Sequence, residues 1–238
     1  MARKRKATAS DLQAKREFIE TYFQERRQQL ERAKLLMDQD KYLFEGLLVL
    51  CCHIGSYAAL RFPSMRSDRK AFKAVVLKYS GKRALYEKID LLFLYQWERS
   101  HFRGENAYKG FKNYPDVKKI LVSRFGDENM IQIKKRFVTQ ATITNTILSN
   151  SFPALDKQDL KRRLPLFSVG DQCYRYLRSF AVHNFRFPFL ERRNNRYVPN
   201  HIITPEVLYD TAKNVLNNLE RECLRRGKFP EQLRQRRK

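Results

Sequence analysis

An arginine and a histidine stand five positions apart in the run Tyr174-Arg175-Tyr176-Leu177-Arg178-Ser179-Phe180-Ala181-Val182-His183-Asn184, whose remaining residues are largely apolar or aromatic. Arg178 is a permanent cation and His183 is the side-chain type that titrates near neutrality. Together they suit chemistry on a phosphate, where one group holds negative charge and the other moves a proton. On an ideal helix five residues turn through about 500°, so Arg178 and His183 project about 140° apart, whereas Ser179 and His183 share a face. One helix therefore cannot close the pair by itself. Either the helix ends near His183, which the following Phe185-Arg186-Phe187-Pro188 favours, or a second copy of the chain completes the site.

The charge of the whole chain points the same way. Its 238 residues carry 49 Lys and Arg against 25 Asp and Glu, a formal net charge of +24, with an ordinary apolar content of 42%. Such a surplus concentrates polyanions, of which nucleic acid is the commonest and a lipid surface the weaker candidate. Arg3, Lys4, Arg5 and Lys6 near one end and Arg234, Arg236, Arg237 and Lys238 at the other read as basic tails over 1–9 and 228–238. Between 157 and 196, ten Lys or Arg face three acids, so charge and candidate chemistry coincide. Within that stretch Tyr174, Arg175, Asn184, Arg186, Arg192, Arg193, Lys161 and Arg162 are the candidate contacts to a nucleic-acid strand; an aromatic at the spacing of Tyr174 is more often core, Arg186, Arg192, Arg193 and Arg196 are otherwise a solvated loop, and Lys161, Arg162 and Arg163 are by default a surface charge run.

No metal or cofactor is expected. Cys51, Cys52, Cys173 and Cys223 have no framework spacing, which fits a reducing cytoplasm, and adjacent helical residues such as Cys51 and Cys52 point about 100° apart and do not clasp one ion. The apolar run 43–60 has the length of a membrane span but contains Glu45, His53 and Ser56, so it is expected to be a core helix, with Glu45 buried and able to reach the motif arginine. His53, His101 and His201 have no evident partner in the sequence.

The elements that must position the motif read as helices. Ser10-Asp11 caps a long, half-exposed first helix; 42–62 forms an almost uniformly apolar second, stopped by Pro63; Ser67-Asp68 opens a third that ends at Gly81. Helices follow over 82–97, from Asp116 to Phe125 with Gly126 after it, and from Asp127 through about Ser149. The segment 98–115 lacks periodicity and marks an insertion or boundary. A brief basic helix over 156–164, the motif helix over 167–184 and a loop or small hairpin about Asn194-Asn195 come next. Thr204-Pro205-Glu206 then supplies cap, first-turn proline and first-turn acid to a helix closed by Gly227. The expected fold is all-α, a bundle of about seven or eight helices with little or no sheet, in one domain over 10–227.

Within that layout, Arg178-Ser179-Phe180-Ala181-Val182-His183 resembles the R-x4-6-H signature of the HEPN superfamily, helical bundles that include metal-independent endoribonucleases of toxin, antiviral and CRISPR-effector systems. The helix that begins Tyr42-Leu43-Phe44-Glu45-Gly46-Leu47 and closes Ala58-Ala59-Leu60-Arg61-Phe62-Pro63 also looks like the second helix of such proteins. The resemblance implies a cytoplasmic homodimer in which two Arg/His sets line one cleft, RNA as substrate, and a cognate inhibitor or antitoxin that restrains cleavage. Arg178, Ser179 and His183 would be the catalytic residues. In active members the position after the arginine is most often Asn, Asp or His; Ser179 departs from this, and a hydroxyl orients an imidazole less firmly than a carboxamide or carboxylate. A catalytically silent module that binds RNA or a protein partner is the alternative.

Overall fold

A computed structural model describes residues 9–95, 114–127, 136–150, 157–175, 190–193, 196–199 and 203–233, with backbone alone over 190–193 and 196–199. The fold is all-α: the described residues hold ten α-helices, three of them only four or five residues long, and two small two-stranded sheets. The chain divides into two compact units, one made of 1–83 with 173–238 and the other of 84–172.

The first unit holds α1 (Ala9–Met37), α2 (Leu43–Arg61), α3 (Asp68–Tyr79) and the long helix Pro205–Arg226, numbered α10. Leu208, Ala212, Val215, Leu216, Leu219 and Cys223 recur along one face of α10, and that face buries against α1, α2 and α3. Its ends follow the local signals. Thr204 Oγ1 accepts the N–H of Val207 at 3.3 Å, Pro205 takes the first turn, and Gly227 adopts φ 56°, a left-handed conformation that costs glycine nothing. At the start of α3, Ser67 accepts from the N–H of Lys70, and at its end the amides of Asn214 and Asn218 donate to the carbonyls of Ser80 and Tyr79 at 2.9 and 2.7 Å. Helix α10 thereby satisfies carbonyls that the end of α3 leaves open.

Helix α2 lies among the other three. Leu47, Leu50, Cys51, Ile54, Tyr57 and Ala58 face the core, while Cys52, Ser56 and Ala59 are exposed along the opposite side. By length and composition the segment Asp40–Arg61, mean hydropathy 1.6, could cross a membrane. Glu45 is exposed rather than buried, because its position falls on the side of α2 away from α1, α3 and α10. Gly46 sets the closest approach: a Cβ there would stand 2.9 Å from the carbonyl oxygen of Ala33 and from the amide nitrogen of Met37 on α1. Ser10 and Asp11 are themselves helical, within α1 rather than at its cap.

Where α2, α3 and α10 meet, charge is buried. Arg61 donates from Nε to the Tyr79 hydroxyl at 2.6 Å and from Nη1 to the carbonyl of Leu233 at 2.5 Å; Tyr79 in turn donates to Glu222 Oε2 at 2.6 Å. Arg61 Nη2 lies 3.5 Å from the other Glu222 oxygen, and Lys78 and Arg226 complete the cluster at 3.1 Å each. The hairpin of this unit pairs β3 (Leu190–Arg193) with β4 (Arg196–Pro199), antiparallel from Leu190↔Pro199 to Arg193↔Arg196, the second of the two readings, loop or hairpin, that the sequence offers.

In the second unit, α4 (Arg83–Tyr86), β1 (Ile89–Asp90) and α5 (Leu91–Tyr95) replace the single helix expected over 82–97. The cause is Asp90. Its buried carboxylate accepts the N–H groups of Leu92 and Phe93 at 3.1 and 3.3 Å, capping α5, and takes both Nε and Nη2 of Arg136 at 2.7 Å. β1 pairs antiparallel with β2 (Phe137–Val138), and Thr139 then caps α7 (Gln140–Leu148) by accepting from the N–H of Thr142. The helix expected from Asp127 through Ser149 therefore gives way to a strand and a fresh start at Gln140; residues 128–135 lie outside the described ones. Helices α6 (Tyr114–Phe125), α8 (Lys157–Arg163) and α9 (Val169–Gln172) complete the unit, around a core that includes Leu91, Leu94, Val117, Leu121, Ile143, Leu160 and Phe167. Glycine follows α6 as expected, with Gly126 at φ 88°. Most of 98–115 is outside the described residues.

The Arg61–Glu222 cluster makes a defined prediction. Burial raises the Glu222 pKa, but hydrogen bonds from Tyr79 and Lys78 and the charges of Lys78 and Arg61 outweigh it, and the carboxyl titrates below its usual value. A depressed carboxylate contributes stability above its unfolded pKa, about 4.3, and loses it as pH falls through the folded value. Glu222→Gln is expected to destabilise the protein by roughly 3–5 kcal/mol at pH 7, since Arg61 is left buried without a counter-charge. Urea melts between pH 7 and pH 3 check this, and the variant should show the shallower decline in acid.

Candidate functional site

Arg178, Ser179, His183, Asn184 and Arg186 lie outside the described residues, and of Arg192 and Arg193 only the backbone on β3 is described. What leads into the motif is visible. After the 3-10 turn Leu164–Phe167, Ser168 is extended and its hydroxyl bonds the carbonyl of Pro165, so the helix expected from Phe167 starts at Val169. It passes into a π-helical turn over 173–175, a local widening of the helix found in many proteins at functional positions. Cys173 on that turn is buried, and burial pushes its thiol up to about 12, which leaves it protonated and unreactive at neutral pH.

Tyr174 packs rather than stands free. Its ring meets Phe72 of α3 edge-on, with centroids 5.6 Å apart and planes at 61°, the contact of a half-buried packing residue. Arg175 beside it is half-buried. In the second unit Lys161 and Arg162 sit on the exposed side of α8. Arg162 Nη2 lies 3.0 Å from Asp159 and Arg163 Nε 2.7 Å from the same carboxyl oxygen, so one acid holds two of the three adjacent cations. Burial raises the Asp159 pKa, but these two guanidinium hydrogen bonds prevail and keep the carboxyl ionised. The Arg162 side chain remains 75% exposed, which leaves its guanidinium in reach of solvent.

A second constellation in the first unit escaped the reading of sequence. On α1, Phe18 and Tyr22 both meet the ring of Phe229 edge-on, at 5.5 and 6.4 Å, and the Arg26 guanidinium lies over the Tyr22 ring at 5.1 Å. His53 of α2 stacks on Tyr57 at 6.0 Å; burial first, then the charge of Arg26, lowers its pKa, so the imidazole is neutral at pH 7. The Tyr57 hydroxyl is buried without a hydrogen-bond partner among the described residues. The available signal was the 3-4-4 spacing of Lys15, Phe18, Tyr22 and Arg26, two aromatics bracketed by cations; only the return of the chain at Phe229 gives it meaning. His101 and His201 lie outside the described residues, and among those described no three His, Cys, Asp or Glu side chains group closely enough to hold a metal ion.

Stability separates packing from contact at these positions. Tyr174→Ala, which removes the ring against Phe72, is expected to cost about 1–3 kcal/mol, whereas Arg162→Ala should change stability by less than about 0.5 kcal/mol because its bridge is exposed. Chemical denaturation of both variants measures the difference, and an RNA-binding defect in Arg162→Ala would then report a lost contact. A scan against protein-family models finds no match, and searches of the curated proteins and of the solved structures find none.

Proposed function

We propose that the chain is a metal-independent endoribonuclease of HEPN type, acting in toxin–antitoxin or antiviral defence. The observation that carries this reading is the sequence Arg178-Ser179-Phe180-Ala181-Val182-His183 in an all-helical chain of net charge +24. RNA supplies its own nucleophile. In the proposed reaction His183 takes the proton of the 2′-hydroxyl, the 2′-oxygen bonds to phosphorus, and the 5′-oxygen leaves with a proton returned to it. General acid–base help of this kind is worth roughly 10²–10⁴ in rate. Arg178 neutralises the dianionic phosphorane, worth about 10²–10³ where water is excluded. The products are a 2′,3′-cyclic phosphate and a 5′-hydroxyl, and DNA is not cut. A homodimer brings Arg178 of one copy towards His183 of the other or pairs two complete sets in a cleft, and a cognate inhibitor protein restrains the enzyme in the cytoplasm.

One observation favours a second reading, a silent module that binds RNA without cutting it: Ser179 stands where active members most often have a residue that orients the imidazole more firmly. Labelled tRNA and total RNA incubated with the protein in EDTA distinguish the two. Arg178→Ala and His183→Ala, made separately, are expected to lower cleavage at least a hundredfold, about the lower end of either contribution, while RNA binding persists. Cleavage by both variants at the native rate would remove Arg178 and His183 from the chemistry, and binding without cleavage by the native chain would leave the silent module.

A further inference from the structure

The geometry points to a stacking surface for single-stranded nucleic acid on the outer edge of α1, built from Lys15, Phe18, Tyr22, Arg26 and Phe229 and separate from the Arg178/His183 motif. It rests on the RNA reading of the charge but not on the cleavage reading.

Four residues on α1 at spacings of three, four and four lie within about 80° of one another around the helix axis. The pattern is cation, aromatic, aromatic, cation. Phe18 is 66% exposed, the largest value among the exposed large hydrophobic residues described. A lone exposed phenylalanine needs no explanation, but this one belongs to a cluster. Phe229 meets it at 75° and meets Tyr22 at 87°, so two edge-on contacts fix the orientation of rings that remain at least partly open to solvent. Arg26 is held over Tyr22 and by a 3.0 Å hydrogen bond to Gln29, which presents its guanidinium beside the aromatic pair. Lys228 adjoins Phe229 and is exposed. Of the neighbouring acids, Glu20 is already paired with Arg16 at 3.1 Å, and Glu25 borders the stripe.

Pre-oriented aromatic rings between cations are what an unpaired strand requires. Bases stack on the rings without regard to identity, and phosphates follow the cations. The outer edge of one helix is convex and does not enclose a small ligand, whereas an extended strand can lie along it. The net charge of +24 selects an anionic occupant, and among anionic partners a nucleic acid strand also uses the exposed rings.

Fluorescein-labelled U12 and dT12 provide the probes, read by fluorescence anisotropy on protein carrying His183→Ala so that no RNA is cut. Adding Phe18→Ala is expected to weaken binding of both oligonucleotides by roughly five- to a hundredfold with only a small fall in the thermal melt, because Phe18 is largely exposed and loses one edge-on contact with Phe229. Phe18→Trp should retain affinity, and its added indole emission, above that of Trp97 in the parent, should be quenched at saturating unlabelled U12. Parent-like affinity in Phe18→Ala, or an indole signal in Phe18→Trp that U12 leaves unquenched, overturns the stacking surface. So does a Phe18→Ala defect seen with polyglutamate but not with either oligonucleotide, which would mark an acidic protein partner. Failure of this surface is distinct from failure of the catalytic reading: native-rate cleavage by Arg178→Ala and His183→Ala sinks the latter and leaves the U12 result untouched.

Discussion

A guanidinium taken out of water governs the first unit. Arg61 is 3% exposed, and burying an unpaired charge to that depth costs several kcal/mol. Its position is tenable because Tyr79 accepts one N–H, the Leu233 carbonyl another, and Glu222 supplies the opposite charge. These partners come from α3, the C-terminal turn and α10, so one ion fixes the meeting point of three helices and a turn. Apolar packing alone would hold the same helices together with less definition of register. Tyr79 is the hinge of the cluster, accepting from Arg61 and donating to Glu222 through one oxygen.

The second unit uses the opposite sign for a similar end. Asp90 is fully buried, bound bidentately by Arg136 and by two backbone N–H groups of α5. It joins the strand pair to a helix start, and the apolar core gathers around that point. In both units a buried charge whose hydrogen bonds are met by named partners specifies geometry that hydrophobic contact leaves open.

Local chemistry made much of this readable in advance. Thr204-Pro205-Glu206 and Gly227 bound α10 as their types require, Ser67 caps α3, and Gly126 follows α6. The helical state of Ile143 and Ile147, whose β-branched side chains suit a strand equally, rests on the cap at Thr139. What failed was long-range. Asp90 in Ile89-Asp90-Leu91-Leu92-Phe93 looks like one polar residue on an apolar helix, and only Arg136, far along the chain, shows that its carboxylate begins a new one. Arg61 before Phe62-Pro63 reads as an ordinary helix-end cation, and Glu222 as one of several charges on α10. The motif residues were conspicuous by type, and the preference of Tyr174 for core over base contact agrees with Phe72 beside it. The aromatic edge of α1 was hidden for a simpler reason: Phe229 comes from the opposite end of the chain.

The first unit is discontinuous, with all of 84–172 intervening between its helical halves. During synthesis the ribosome delivers α1, α2 and α3 first and α10 last. Until α10 emerges, Arg61 has no Glu222, and the last carbonyls of α3 have neither Asn214 nor Asn218. Closing the core around α1, α2 and α3 without α10 would therefore bury Arg61 without its counter-charge, at a cost of several kcal/mol.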